Sequence, residues 1–403
     1  MTKRPRLSRR AAGLNPSSTA AVARKAKALA ASGIDVVDFG IGEPDFSTPE
    51  FVARAGITAI EEGRTHYTDV AGEPALRDAI AEKYRLDHGV AVGRENVLVT
   101  AGAKQAVFNA CQVLFEAGDE VALFCPFWVS FPEMVRLSGA TPLLVPTELE
   151  MHWKPVASGV VERATDRTRG VIVNSPNNPT GAIVEPEELE SLVEWCAARD
   201  ACLIFDETYD RFLYGGRRHV SAMSLWEEHP DRIVVTGAAS KTWAMTGWRL
   251  GWVLASRHLI DAMCSYQSHS TSNASSISQR AALAALSDPG RTEEAVAAML
   301  AEYERRRDRI VSGLAAIPGV RVLPPEGAFY AFADVSELFV RMDVAGSGEF
   351  CERLLAETGV AAVAGEAFGE DDCVRFSFAI PLSAIDEGLR RITAWASAPA
   401  RTD

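Results

Sequence analysis

The 403-residue chain has no apolar run approaching the roughly 20 residues needed to span a bilayer, so a membrane-spanning helix is excluded. Its seven cysteines (Cys111, Cys125, Cys196, Cys202, Cys264, Cys351 and Cys373) are odd in number, scattered and without a CxxC pair. That pattern suits reduced thiols in a cytoplasmic protein and not a disulfide framework. The seven histidines form no HxH or HxxxH cluster, so no built-in metal site is expected. Positive charge is in deficit, with 41 Lys and Arg against 54 Asp and Glu. The resulting net charge of −13 argues against nucleic acid or an anionic membrane surface as a partner. No internal repeat or low-complexity tract is present. The first 34 residues invert the balance, with eight Lys or Arg and no acid, which superficially has the composition of a transit peptide.

What is present exceeds one small core, and two domains are the natural expectation at this length. Short β-branched or apolar runs at 97–100, 120–124, 141–145, 170–174, 201–205, 233–236 and 250–254 alternate with longer helical stretches. Most gaps are long enough for a parallel crossover, so the fold class is α/β. The expected core is a mostly parallel seven-stranded sheet with helices on both faces. After Ser287-Asp288-Pro289-Gly290 the character changes. A long helix over 291–315, strand-like pieces at 320–323, 328–333 and 374–378, and a final amphipathic helix from 383 to about 395 read as a smaller α+β domain. The expected division is 49–290 for the large domain and 291–403 for the small one, with 1–48 as an N-terminal arm and part of the small domain.

The suggestive chemistry follows these runs. Lys241 lies just after the run 233–236, and Arg249 comes eight residues later. An amine and a guanidinium so placed suit an aldehyde cofactor carrying a phosphate, although a solvated strand-end lysine would explain the Ser240-Lys241 pair alone. Asp206 closes another run. It is either a helix cap or a carboxylate that keeps a pyridine nitrogen protonated, and Tyr209 lies three residues on, on the same face of a helical turn. Asn178 sits in the rigid turn Ser175-Pro176-Asn177-Asn178-Pro179-Thr180-Gly181. Gly102, Ala103 and Lys104 run from a strand into a helix, where free amides make an anion cradle. In an open parallel sheet, residues beyond the strands' carboxyl ends share one crevice, and Gly102–Lys104, Asn178, Asp206 and Lys241 all occupy such positions.

The stretch Ala239-Ser240-Lys241-Thr242-Trp243-Ala244-Met245-Thr246-Gly247-Trp248-Arg249 and the turn around Asn178 resemble the class I pyridoxal-phosphate aminotransferases, in particular the aspartate-aminotransferase-like branch. The resemblance runs from Leu7 to the final helix. It implies a fold-type-I homodimer that moves an amino group between an L-amino acid, aspartate-like by default, and a 2-oxo acid. Lys241 then holds pyridoxal 5'-phosphate and shuttles a proton. Gly102, Ala103, Lys104, Ser240 and Arg249 bind the cofactor with Asn178, Asp206, Tyr209 and a stacking Trp128. Tyr67 matches the tyrosine that reaches the partner subunit's cofactor. Arg375 matches the arginine that clamps the α-carboxylate, and Gly42, Trp128 and Asn178 meet the substrate. Leu7-Ser8-Arg9-Arg10 and Leu14-Asn15-Pro16-Ser17 match an arm over the neighbouring subunit, which is preferred to a cleaved signal. The alternatives are another reaction on the same scaffold (a lyase, a synthase or an oxidase) and an aminotransferase-like sensor of a transcription factor, for which the match from Leu7 leaves no DNA-binding segment.

Four departures from the branch stand out. Ala238 occupies a position where many relatives have a phosphate-binding serine. Ala274 and Ala364 replace prolines, and Arg280 replaces an aromatic. Asp69 and Glu73 stand where relatives carry proline and an apolar residue. Beside Tyr67, these two acids could disfavour acidic substrates, or simply belong to a solvated loop.

Overall fold

The computed structural model describes residues 5–14, 16 and 18–397. Asn15 and Ser17 of the expected arm lie outside the described residues. After the two-residue β1 (Val37–Asp38) come the strands of the main sheet: β2 (Val97–Thr100), β3 (Glu120–Cys125), β4 (Thr141–Pro146), β5 (Thr168–Asn174), β6 (Cys202–Asp206), β7 (Ile233–Ala238) and β8 (Gly251–Leu254). Their order is β2-β8-β7-β6-β5-β3-β4. All neighbours are parallel except β8, which runs antiparallel to both β2 and β7. Because β8 is flanked by antiparallel partners on each side, β2, β5, β6 and β7 all point their carboxyl ends to one edge. The mostly parallel seven-stranded sheet expected from the sequence is therefore present, with boundaries that differ by one or two residues.

β3, β6, β7 and β8 are buried at every position, as strands covered on both faces must be. Alternation divides them between two cores: Leu203 and Phe205 pack on one side, Ile204 on the other. The edge strand β4 is mostly open to solvent and carries Pro142 and Pro146, which cannot donate to a further strand.

Beyond the main sheet, β9 (Arg321–Val322), β10 (Tyr330–Asp334), β11 (Val360–Ala361), β12 (Val363–Ala364) and β13 (Cys373–Ser377) follow. They include an antiparallel sheet in the order β12-β13-β10-β9. β1 pairs in parallel with β11, Val37 opposite Val360, so the segment before residue 48 is stitched to the last part of the chain. The 27-residue helix Pro289–Ala315 opens on a proline, which has no amide proton to leave unsatisfied in the first turn. The Asp288 side chain caps it by accepting from the Arg291 amide. Among the described residues no helix is long and apolar enough to cross a membrane. None of the seven cysteines is in a disulfide. No group of three or more His, Cys, Asp or Glu among the described residues is placed to hold a metal ion.

Candidate active site

At the carboxyl edge of β2, β5, β6 and β7 lies a cavity of about 500 Å³. Gly42, Ala103, Lys104, Trp128, Asn178, Asp206, Tyr209, Ser240, Lys241, Arg249 and Arg375 all line it. Residues more than 300 positions apart thus meet because parallel strands deliver their carboxyl ends to one place and β13 brings Arg375 across from the second sheet. A more open groove of about 630 Å³ between the helices Glu50–Glu61 and Ser276–Ser287 contains none of these residues.

Lys241 lies on the short helix Ala239–Thr242 after β7. Its Nζ donates to the Gly42 carbonyl at 2.6 Å. Burial pushes its amine down to about 8; Glu43 opposes the shift, and Arg249 and Arg375 add to it. A larger neutral fraction is therefore available near neutral pH than an ordinary lysine would have, and the neutral amine is what attacks an aldehyde.

Asp206 ends β6 and is 4% exposed. One carboxylate oxygen accepts from the Thr208 amide at 3.1 Å and from its hydroxyl at 2.6 Å. Burial nevertheless raises the carboxyl to about 6, against the pull of those bonds. A cation placed against it, such as a protonated ring nitrogen, would restore the charged form. Tyr209 is buried, with its hydroxyl 2.9 Å from that of Tyr330.

The helix Ala103–Leu114 starts at Gly102, whose φ of +91° is left-handed. The Ala103 and Lys104 amides belong to its first turn, where no intrahelical acceptor exists. Arg249 lies against this turn: its Nη2 donates to the Ala101 carbonyl at 3.2 Å and Nη1 to the Thr246 carbonyl at 2.9 Å. An ideal Cβ on Gly102 would stand 2.8 Å from Arg249 Nη2, so the close approach needs glycine. With Ser240 nearby in the lining, this is a cradle that could hold a phosphate dianion. Ala238 also lines the cavity and offers no hydroxyl there.

Arg375 is 1% exposed. Its Nη1 donates to Asn178 Oδ1 at 2.9 Å and its Nη2 to the Gly40 carbonyl at 3.0 Å, while Nε has no hydrogen-bond partner. The guanidinium stacks 4.3 Å from the Tyr330 ring centroid. Among the described residues Lys104, Lys241, Arg249 and Arg375 make no ion pair, although Asp38, Glu43 and Asp206 share the lining with them. That donor set and the orphaned Nε fit a ligand with a phosphate and a carboxylate.

Gly102 backs the cradle without lining the cavity, and Tyr67 is the other expected site residue that the single chain leaves out of it. Tyr67 is 89% exposed, on a surface formed with Glu62, Arg64, Glu73 and Ser276. Trp128 is in place, with Lys104 Nζ 4.8 Å from its ring centroid. The sequence departures near Tyr67 find local partners. Glu73 forms an ion pair with Arg280 at 2.8 Å, and Asp69 accepts from the Ala71 amide within its own turn. Both acids are thereby engaged locally, Glu73 by Arg280 and Asp69 by the Ala71 amide.

Sequence reasoning missed Tyr330, Asn174 and Asp38 as lining residues. The signal for Asn174 was the same turn that holds Asn178, whose amide donates to Asn174 Oδ1 at 2.8 Å. Tyr330 and Asp38 lie on strands of the second sheet system, where no local pattern marks a site.

Comparison with known proteins agrees with this geometry. The family model for aminotransferase class I and II matches residues 34–392. The chain is 42% identical to an aspartate aminotransferase of Geobacillus stearothermophilus, over 96% of this chain and 98% of that one. It is 41% identical to a probable aspartate/prephenate aminotransferase of Aquifex aeolicus, over 96% and 97%. The structure of an aspartate aminotransferase from Thermus thermophilus with maleate superposes with a TM-score of 0.92 at 39% identity, covering 97% of this chain and all of that one. The chain belongs to the class I and II aminotransferases, pyridoxal-phosphate-dependent enzymes of fold type I that move an amino group between an amino acid and a 2-oxo acid.

Proposed function

We propose that the amino donor is a dicarboxylic amino acid, aspartate first, and that Lys241 is the residue that carries the cofactor and moves the proton. The observation that carries this is the buried, unpaired Arg375 opening onto the same cavity as the Lys241 amine. Asp38 lies in the same cavity but forms no ion pair with this buried cation, and a substrate carboxylate on its fork lowers the cost of burying it. A second carboxylate needs a second cation. Lys104 Nζ lines the cavity, its basicity lowered by burial and by Arg249, and Lys27 lies in the lining as well. The relatives named as aspartate aminotransferases point the same way.

Pyridoxal phosphate, when bound, supplies an aldehyde to take the amino group and a pyridinium ring to draw electrons from the α-carbon. The first-turn amides of Ala103 and Lys104, with Ser240 and Arg249, would hold its phosphate. Asp206 would serve the ring nitrogen, Trp128 would stack on the ring, and Tyr209 and Asn178 would donate to the phenolic oxygen. Lys241 Nζ takes the proton from the substrate α-carbon, since its lowered basicity lets it serve in both directions near neutral pH. Gly42 lies against the substrate. Tyr67 reaches the phosphate in the partner subunit, so the working form is a homodimer with shared sites. The chain divides into a large domain over 49–290 and a small one over 291–403, with residues 1–48 adding to the small one, an arrangement supported by the β1–β11 pairing. The seven unbridged thiols favour a cytoplasmic location.

The test is borohydride reduction of the purified enzyme, peptide mapping and a donor–acceptor panel. Lys241 is expected to carry the reduced cofactor, and Lys241→Ala to bind cofactor without a reducible link and lose turnover by several orders of magnitude. Aspartate is expected to exceed arginine and phenylalanine as donor. An unlabelled Lys241, or a preference for either of the other donors, overturns the corresponding half of the reading.

A further inference from the structure

A largely but not fully buried set of charges lies outside the cavity lining, next in chain to the residues that form it. Asp210 directly follows Tyr209, and Thr242 directly follows Lys241. Asp210 Oδ2 accepts from Lys83 Nζ at 3.2 Å, and Oδ1 accepts from Thr242 Oγ1 at 3.3 Å. The Lys83 and Asp210 side chains are 15% and 14% exposed, and Lys83 also donates to Asp87 at 3.0 Å. Lys83 is borne by the helix Pro74–His88. The next residue on that helix, Tyr84, donates to Glu207 Oε2 at 3.3 Å and accepts from Trp252 Nε1 at 3.3 Å. Glu207 also accepts from Ser221.

A buried ion pair is a poor way to gain stability, because apolar side chains of equal volume often do as well or better. What such a pair does supply is direction. The two oxygens of Asp210 address different elements, one the helix that bears Lys83 and the other the short helix that bears Lys241. The β6–β7 ladder runs to Asp206 opposite Thr236, with the Glu207 amide donating to the Thr236 carbonyl at 2.9 Å. Beyond that end, the Asp210–Thr242 bond is a further tie between the turn carrying Asp206 and Tyr209 and the turn carrying Lys241.

We propose that Asp210 is a positioning residue for amino-group transfer: anchored by Lys83, its carboxylate fixes Thr242 and so sets where Lys241 Nζ stands relative to Tyr209 and Asp206. The inference rests on Lys241 being the amine that carries the cofactor. Electrostatics are consistent with a permanent anchor. Burial pushes the Asp210 carboxyl up, but Lys83, with His219 and Arg211, outweighs it and holds the group below the ordinary carboxylate range. Burial likewise disfavours charged Lys83, and Asp210 and Asp87 outweigh that.

The experiment compares Thr242→Val and Thr242→Ser with the wild-type holoenzyme. Thr242→Val keeps shape and removes the hydroxyl. Its kcat is expected to fall about tenfold with KM for the donor held within about twofold, as expected when a reacting group is displaced and binding is not. The visible circular dichroism of the bound cofactor, which reports how Lys241 holds it, is expected to change. Thr242→Ser is expected to restore both kcat and the dichroism. Wild-type kcat and dichroism in Thr242→Val overturn the proposal, and so does equal loss in the serine and valine variants. If Thr242→Val does not fold, Asp210→Asn replaces it, with the same fall expected and wild-type kcat again decisive against. Borohydride labelling of the wild type separates the two levels. Labelled Lys241 with an indifferent Thr242→Val sinks the positioning role alone, whereas unlabelled Lys241 removes the site reading beneath it.

Discussion

Asp206 shows at the scale of one residue how a site can be held at the expense of the fold. Raising its carboxyl from 3.8 to about 6 disfavours the charged form by about 3 kcal/mol. For an acid raised in the folded state, this destabilisation is fully present above pH 6 and is relieved as pH falls towards 4, where the folded chain takes up the proton first. Asp206→Asn keeps an acceptor for Thr208 and removes the charge. The cofactor-free variant is therefore expected to melt above the wild type at pH 8, with the two curves closing on each other as pH drops through 6. Its holoenzyme turnover is expected to fall by about a hundredfold, the usual worth of one preorganised electrostatic group. Thermal melts across pH decide the first part: equal melting temperatures at pH 8 remove the burial cost. Asp206 was legible in the sequence because it ends an apolar run, but its energetic cost was not, since that depends on the elements that close over β6.

At the scale of elements, the site is a property of strand ends. β2, β5, β6 and β7 were readable from apolar runs of the right length, and the residues just after them gave Gly102–Lys104, Asn178, Asp206 and Lys241. The long helix Pro289–Ala315 and the last helix, Leu382–Ala396, were readable from composition and periodicity. β1, β11 and β12 were not, because two residues carry no period and their pairing is set by the tertiary contacts around them. The Glu73–Arg280 ion pair was invisible for a related reason: two separate departures in sequence become one interaction only when the helix Ser276–Ser287 packs beside the turn after Tyr67. The start of the helix Ala103–Leu114 gives the sharpest test at this scale. Gly102→Ala puts a side chain at φ 91° and ψ 162°, a region all but reserved for glycine, at about 1–3 kcal/mol, and displaces Arg249 from the first turn. Cofactor affinity, followed by tryptophan quenching, is expected to fall about tenfold in a protein that still folds. Undiminished affinity would place the phosphate away from this turn.

At the scale of the whole molecule, the same chain leaves one expected site residue facing solvent. Tyr67 is exposed, and on the nearby helix Glu50–Glu61 the apolar Ile57 and Ile60 are exposed as well. A second copy covering this face would bury them and carry Tyr67 towards its own cradle of amides and Arg249. Complementation tests this directly. A Lys241→Ala chain retains Tyr67 but has no reactive amine, and a Tyr67→Ala chain retains the amine but is expected to bind cofactor about tenfold more weakly, the worth of one hydrogen bond to a charged group. When the two are co-expressed and the mixed species is isolated by different affinity tags, one of its two sites receives the intact amine from one chain and the intact tyrosine from the other. Cofactor affinity at that site is expected to return to the wild-type value, while the other site lacks both groups and stays inert. If Tyr67 acted within its own chain, the mixed species would contain one site without the amine and one without the tyrosine. Its labelled site would then keep the weak affinity of the Tyr67→Ala parent, and the shared-site homodimer would be wrong.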